Sequence, residues 1–222
     1  MLSFAVGAAL GMLLGLLADF WLQRRQYRYE DERSFPLRST CWVAPVMSLA
    51  AGLHASAWQS SLPVAVLAIA YTAILIVLSA IDLDVQRLPD KITLPLIPVT
   101  AVAVVSVCVI SGEAGDAGRA LLAGLALGGF YLAQVVLAGG RGMGLGDAKL
   151  AVSLGMVAGM FSWPHVLVAT MAAYLSAALV AIVLVVLGKA NRKTSIAFGP
   201  FMSLGLAATL SVPAVPSMIG LA

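Results

Sequence analysis

The chain has 222 residues, of which 61% are hydrophobic and only 10% charged, and its mean hydropathy is +1.02. Soluble domains carry roughly 25% charged residues and about half apolar ones, so the composition excludes a soluble globular enzyme, a disordered tail and a nucleic-acid binder. The 13 Lys/Arg against 10 Asp/Glu fit loops held on the cytoplasmic side of a membrane, not a polyanion-binding surface.

Long apolar runs without strict alternation predict helices and not barrel strands. In chain order the expected spans are 2–22, 42–58, 62–82, 92–111, 118–138, 147–162, 164–187 and 196–217. The expectation is an all-α, polytopic integral membrane protein of about eight transmembrane helices, forming one membrane-embedded domain over residues 1–222. The first run has no Lys or Arg before it and Arg24, Arg25 and Arg28 after it. That is the reverse of a cleavable signal, so a retained span is expected. Pro95 and Pro98 fall inside the fourth run, where neighbouring helices can re-satisfy the backbone. Ser162-Trp163-Pro164 marks a tight turn between the sixth and seventh.

With segment 23–41 placed inside, 83–91, 139–146 and 188–195 also lie inside. Of the 13 Lys/Arg, 12 then sit in or beside inside segments, and only Arg119 lies outside. This asymmetry orients the chain with both termini outside. The first inside loop mixes Glu30, Asp31 and Glu32 with its arginines and reads as a solvated segment against anionic lipid.

Most of the acids have plain roles. Glu113 and Asp116 belong to an outside turn, and Asp19 sits at the inner end of the first span within reach of an arginine. Two clusters remain. Asp82 closes a long apolar run, where an ionisable side chain is costly unless it faces a wet cavity or a partner. Asp84, two residues on, points to another helix face, and Asp90 after Pro89 reads as the N-cap of the next helix. The second cluster is Arg141-Gly142-Met143-Gly144-Leu145-Gly146-Asp147-Ala148-Lys149. Its glycines resist a regular helix and put Asp147 at the inner start of the sixth span, with helix capping as the structural alternative. The run lacks the strand context and the Lys-Ser/Thr of a phosphate-binding loop.

Asp82 and Asp147 are thus expected at similar depth on the inner face. Two carboxylates in one partly dry site hold a proton between them. One can take a proton from water while the other donates to a peptide carbonyl or leaving amine. His54 and His165 lie near the outer face. There is no HExxH zinc motif and no GxSxG nucleophile, and Cys41 and Cys108 form no metal-binding spacing. No cofactor and no metal are expected. A proton- or cation-coupled transporter using the same two aspartates as a relay is the alternative.

Asp82-Leu83-Asp84-Val85-Gln86-Arg87-Leu88-Pro89-Asp90 resembles the first signature of the type IV prepilin leader peptidases. Gly142-Met143-Gly144-Leu145-Gly146-Asp147-Ala148-Lys149-Leu150 resembles their GxGD signature. Ala197-Phe198-Gly199-Pro200-Phe201 is similar to their final-span segment, and the three occur in the family's order. The resemblance implies a membrane aspartic endopeptidase of a prokaryotic cell membrane, with Asp82 and Asp147 as the catalytic pair. Pro89, Asp90, Gly144, Gly146, Lys149, Gly199 and Pro200 would be supporting motif positions. The implied substrate is a prepilin or pseudopilin precursor of a type IV pilus or protein secretion system. It has a short basic leader before an apolar helix, and cleavage is at the cytoplasmic face. The presenilin-like branch fits less well, since Ile81 stands where a tyrosine precedes its first aspartate. Many bacterial members carry a methyltransferase segment with paired CxxC motifs in the first inside loop. Residues 23–41 hold no such segment, so a peptidase without N-methyltransferase activity is expected. The sequence leaves the oligomeric state open.

Overall fold

The computed structural model describes residues 1–30, 32, 36, 38–137, 139, 144–189 and 196–212. Among these every regular element is an α-helix: α1 (Leu2–Gln23), α2 (Val43–Ala57), α3 (Leu62–Val85), α4 (Asp90–Ile110), α5 (Ala114–Leu137), α6 (Leu145–Phe161), α7 (Trp163–Val186) and α8 (Gly199–Leu210). Five of them, α1, α3, α4, α5 and α7, are long and apolar enough to cross a membrane. The helices α2, α6 and α8 are shorter, with 15, 17 and 12 residues. The all-helical, multi-pass reading therefore holds, with five helices of spanning length among the eight.

Lipid tails are as apolar as leucine, so helices in a membrane associate through close packing of small residues. Gly7, Gly11 and Gly15 recur every fourth residue on the buried face of α1. A Cβ at Gly11 would lie 2.4 Å from the Met47 carbonyl oxygen, and one at Gly15 would lie 2.4 Å from Ala44 Cα. The backbones of α1 and α2 therefore touch. The α5–α6 pair is built the same way, since a Cβ at Gly155 would meet the Ala123 carbonyl at 2.6 Å. Between these pairs lies a core of Tyr71, Leu75, Leu78, Tyr131, Leu150, Val157 and Leu206. Helices α3 and α6 each bury more residues than any other helix, while the outward faces of α1 and α7 remain apolar and exposed, as lipid contact requires.

Boundaries differ from the sequence reading at three places. The turn between α4 and α5 is Ser111-Gly112-Glu113, and α5 already begins at Ala114, so Asp116 lies in its first turn. Helix α8 starts at Gly199, three residues beyond the expected 196, and ends at Leu210; residues 213–217 of that expected span lie outside the described residues. Helix α4 starts at Asp90 with Pro89 in the N-cap position, so Asp90 is not the cap. Pro89 is already extended (φ −69°, ψ 127°), and the Asp90 side chain is taken by Lys149. The break at Ser162 is as expected: Ser162 is extended and its hydroxyl accepts from the His165 N–H.

Arg119, which the charge map expects on the outer side, has a local role. Its guanidinium donates to the carbonyls of Gly159, Met160 and Phe161 and pairs with Asp116. These carbonyls end α6 and have no intrahelical donor, so Arg119 acts as a C-cap reaching across from α5.

Candidate active site

Asp82 lies on the last full turn of α3, and Gln86 ends that helix in the left-handed conformation (φ 51°), returning its N–H to the Asp82 carbonyl at 2.9 Å. The chain then passes through Leu88 and Pro89 into α4. Asp147 is the third residue of α6, and its carboxylate accepts from the backbone N–H of the N-cap, Gly144, at 3.3 Å. It thus shares in capping without being the N-cap itself. Gly146 lets these two segments meet. A Cβ there would come within 2.9 Å of Leu88 Cβ, so the start of α6 rests directly on the α3–α4 connection.

Helix α8 completes the site. The Gly199 N–H donates to Asp82 Oδ2 at 2.9 Å, fixing that oxygen. A Cβ on Gly199 would sit 2.8 Å from the same atom, so only glycine allows the approach. Pro200 occupies the first helical turn, where its missing N–H costs nothing. Ser203 donates to the Gly199 carbonyl (2.9 Å) and accepts from Ser79 (2.9 Å), which lies one turn before Asp82. Phe198 packs beside Tyr131 and Tyr174, with centroids at 6.1 and 5.3 Å, and so anchors the strand of chain that delivers the Gly199 N–H.

Asp82 and Asp147 are 4% and 9% exposed and close enough for the charge of one to act on the other. Lys149 bonds Asp90 at 2.7 Å, tying the second motif to the end of the first. Of the expected site residues, Asp82, Asp147, Gly144, Gly146, Gly199, Pro200, Pro89, Asp90 and Lys149 all come to this one end of the bundle. Gly142 and Met143 of the second motif lie outside the described residues. Among the described residues no three His, Cys, Asp or Glu side chains converge to hold a metal ion.

Asp84 has a role that spacing did not disclose. It accepts from both Nε and Nη2 of Arg28 (2.8 and 2.7 Å), from the Tyr27 hydroxyl (2.7 Å) and from the Arg38 N–H (3.4 Å). The Arg28 and Asp84 side chains are almost completely buried. Burial and the Asp84 carboxylate push the Tyr27 hydroxyl up to about 12, and Asp84 raises the Arg28 guanidinium further. Nearby, Arg87 grips Glu32 with two bonds and lies 3.6 Å from the Tyr29 ring centroid. The described residues Tyr27, Arg28, Glu32 and Arg38 of the α1–α2 connection are therefore tied to the end of α3. Asp19 also differs from expectation: its partners are Gln23 and Thr40.

A family model described as the type IV leader peptidase family matches residues 69–186, more than half of the chain and both aspartates. The chain belongs to the type IV leader peptidase family. Curated relatives of the chain carry the name prepilin leader peptidase/N-methyltransferase. The Aeromonas hydrophila protein is 34% identical over 163 residues, 73% of this chain and 51% of that protein. The Burkholderia pseudomallei strain K96243 protein is 33% identical over 174 residues, covering 75% and 53%. The Escherichia coli K12 protein is 28% identical over 210 residues, covering 87% and 91%. The chain spans about half the length of the first two. No solved structure matches it. In this leader peptidase family member the Gly199 amide and the Ser79–Ser203 pair lie beside the first aspartate signature.

Proposed function

We propose that the chain is a membrane-embedded aspartic endopeptidase that removes the leader from prepilin-like precursors, with Asp82 and Asp147 as its catalytic pair. The observation that carries this reading is that two buried carboxylates from two distant signatures, Asp82 and Asp147, stand at the same end of the bundle. Asp82 held by the Gly199 N–H keeps one oxygen fixed and offers the other to the reaction. In the carboxylate form one aspartate takes a proton from the attacking water. In the acid form the other donates its proton to the scissile carbonyl oxygen as water adds to the carbonyl carbon. As the C–N bond breaks, the first aspartate passes the proton it took from water to the leaving amine, and the second recovers a proton from the collapsing gem-diol.

The charge asymmetry of the loops supports a cytoplasmic position for this end of the bundle, with both termini outside and all eight helices contributing to the membrane domain. The short helices α2, α6 and α8 would then be partial or thin crossings. At about 1.5 Å per residue α8 is only about 18 Å long, against about 30 Å of hydrocarbon.

The test is cleavage of a full-length type IV prepilin by the purified protein in lipid nanodiscs, read by mass spectrometry. Asp82→Asn and Asp147→Asn should each lower turnover by roughly 10²-fold or more while inserting normally. Near-native turnover in either variant would remove that residue from the pair. With S-adenosylmethionine present the mature product should retain a free N-terminal amine. The E. coli relative, matched over almost its whole length, carries both activities in its name, so the mass of the product and not chain length decides this point.

A further inference from the structure

Two tyrosines stand behind the segment that holds Asp82. Tyr131 of α5 is 1% exposed, and its ring centroid lies 5.9 Å from that of Tyr174 on α7. Both rings pack on Phe198, and rings at such separations attract one another beyond the area they bury. Gln134, one turn after Tyr131 on α5, accepts from the Tyr174 hydroxyl at 2.9 Å. The two tyrosines are therefore fixed relative to each other as well as to their own helices.

Phe198 and Gly199 share one planar peptide unit. At one edge the Phe198 carbonyl accepts from the N–H groups of Phe201 and Met202, at 3.0 and 3.2 Å. At the other edge the Gly199 N–H, which has no acceptor inside α8, donates to Asp82 Oδ2. Residues 196–198 form no regular structure of their own, so the seat of the Phe198 ring aims this amide. Helix α5 also brings Tyr131 close to the other aspartate. A Cβ at Gly124 would meet Met156 and one at Gly128 would meet Val152, so four residues forward on α5 match four residues back on α6. One further turn puts Tyr131 level with Ala148, the neighbour of Asp147.

We propose that Tyr131 and Tyr174 are positioning residues for the aspartate pair: by clamping the Phe198 ring they hold the Gly199 amide on Asp82. The proposal rests on the peptidase reading above and adds residues that act through Phe198 and Gly199. The rings carry the clamp, and the Tyr174 hydroxyl serves to fix one of them. Met202 and Leu206 keep α8 in the core independently, so loss of a ring shifts the amide without releasing the helix.

In the test, the protein in nanodiscs carries isotope labels at the phenylalanine carbonyl carbons and the glycine nitrogens. Gly199 is the one glycine preceded by phenylalanine, so a single amide signal is selected by magnetic resonance. Asp82→Ala gives the position of that signal without its acceptor, and turnover of a full-length type IV prepilin is measured on the same samples. Tyr131→Leu should move the signal most of the way to the Asp82→Ala position and lower kcat about tenfold with KM unchanged. Tyr131→Phe keeps the ring and should match wild type in both. Phe161→Leu removes a ring from the far end of α6 and should alter neither. Tyr174→Leu, at a less buried position, should repeat the Tyr131→Leu result and decides the matter if Tyr131→Leu does not fold. A moved signal with wild-type kcat, an equal effect of Phe161→Leu, or a Tyr131→Phe as impaired as Tyr131→Leu would each overturn the clamp. An unmoved signal while Asp82→Ala is inactive removes the clamp and leaves the peptidase standing. Cleavage by Asp82→Ala at the wild-type rate overturns the catalytic pair, and with it the positioning role, whatever the signal does.

Discussion

Gly199 shows how narrow the tolerances are around Asp82. Its N–H bonds the carboxylate, and any side chain there would press on the same oxygen. Gly199→Ala must rotate the Asp82 carboxylate or push α8 away, and misplacement by about 1 Å can cost about 10²-fold in rate. The expected outcome is a kcat loss of roughly 10- to 100-fold on prepilin with a nearly unchanged melting temperature, since α8 keeps its core contacts. Wild-type kcat in this variant would show that the Gly199 amide does not position Asp82. Lys149–Asp90 is a different kind of contact. Its partners are 29% and 61% exposed, so it contributes at most about 1 kcal/mol and serves to register α6 against the start of α4.

The connection from α1 to α2 is the element that departs most from its sequence reading. Asp84 and Arg28 bury a charge pair beneath it. Removing one partner leaves the other uncompensated in a dry setting, at a cost of about 3–5 kcal/mol, whereas replacing both with apolar residues is often close to neutral. Asp84→Leu alone should therefore destabilise the protein strongly in denaturant or thermal unfolding. Arg28→Met combined with Asp84→Leu should recover most of that loss, and a double variant no better than the single would mean that the pair is not coupled. The Glu32–Arg87 pair tests the same strap by pH. Arg87, with the Tyr29 N–H, holds the Glu32 carboxyl below the usual range. Its stabilisation is therefore complete above about pH 4.3, the unperturbed value for Glu. It disappears as pH falls through the lower folded-state value. Wild type should melt above Glu32→Gln at neutral pH, by less than about 1 kcal/mol for so peripheral a pair, and the two should converge on acidification. A gap that widened with acid would have the wrong sign for this assignment.

At the scale of the whole molecule the charges and the site have to agree about sidedness. With both termini outside, a single cysteine near Ala114 should react with an impermeant thiol reagent added to whole cells. One near Ala190 should react only after permeabilisation. The reverse pattern would put Asp82 and Asp147 on the outer face and remove the leader peptide from their reach. Arg119 does not weaken the asymmetry, because its guanidinium is committed to the α6 carbonyls and Asp116.

The sequence by itself determined that this chain is helical and membrane-bound, because apolar runs of sufficient length have no other stable form in lipid. It also brought out the two aspartates and the three ordered motifs, because ionisable residues and glycines stand out against an apolar background. What packs on what was decided only in three dimensions. The partners of Asp84 lie 46 to 57 residues away, and Gly199 meets Asp82 from 117 residues away. No local pattern encodes such distances. Asp82 and Asp84 look alike in sequence, yet one faces a glycine amide and its fellow aspartate while the other is neutralised by Arg28. Two residues along a helix turn a side chain by roughly 200°, and the different neighbours met on each side give the two carboxylates their different fates.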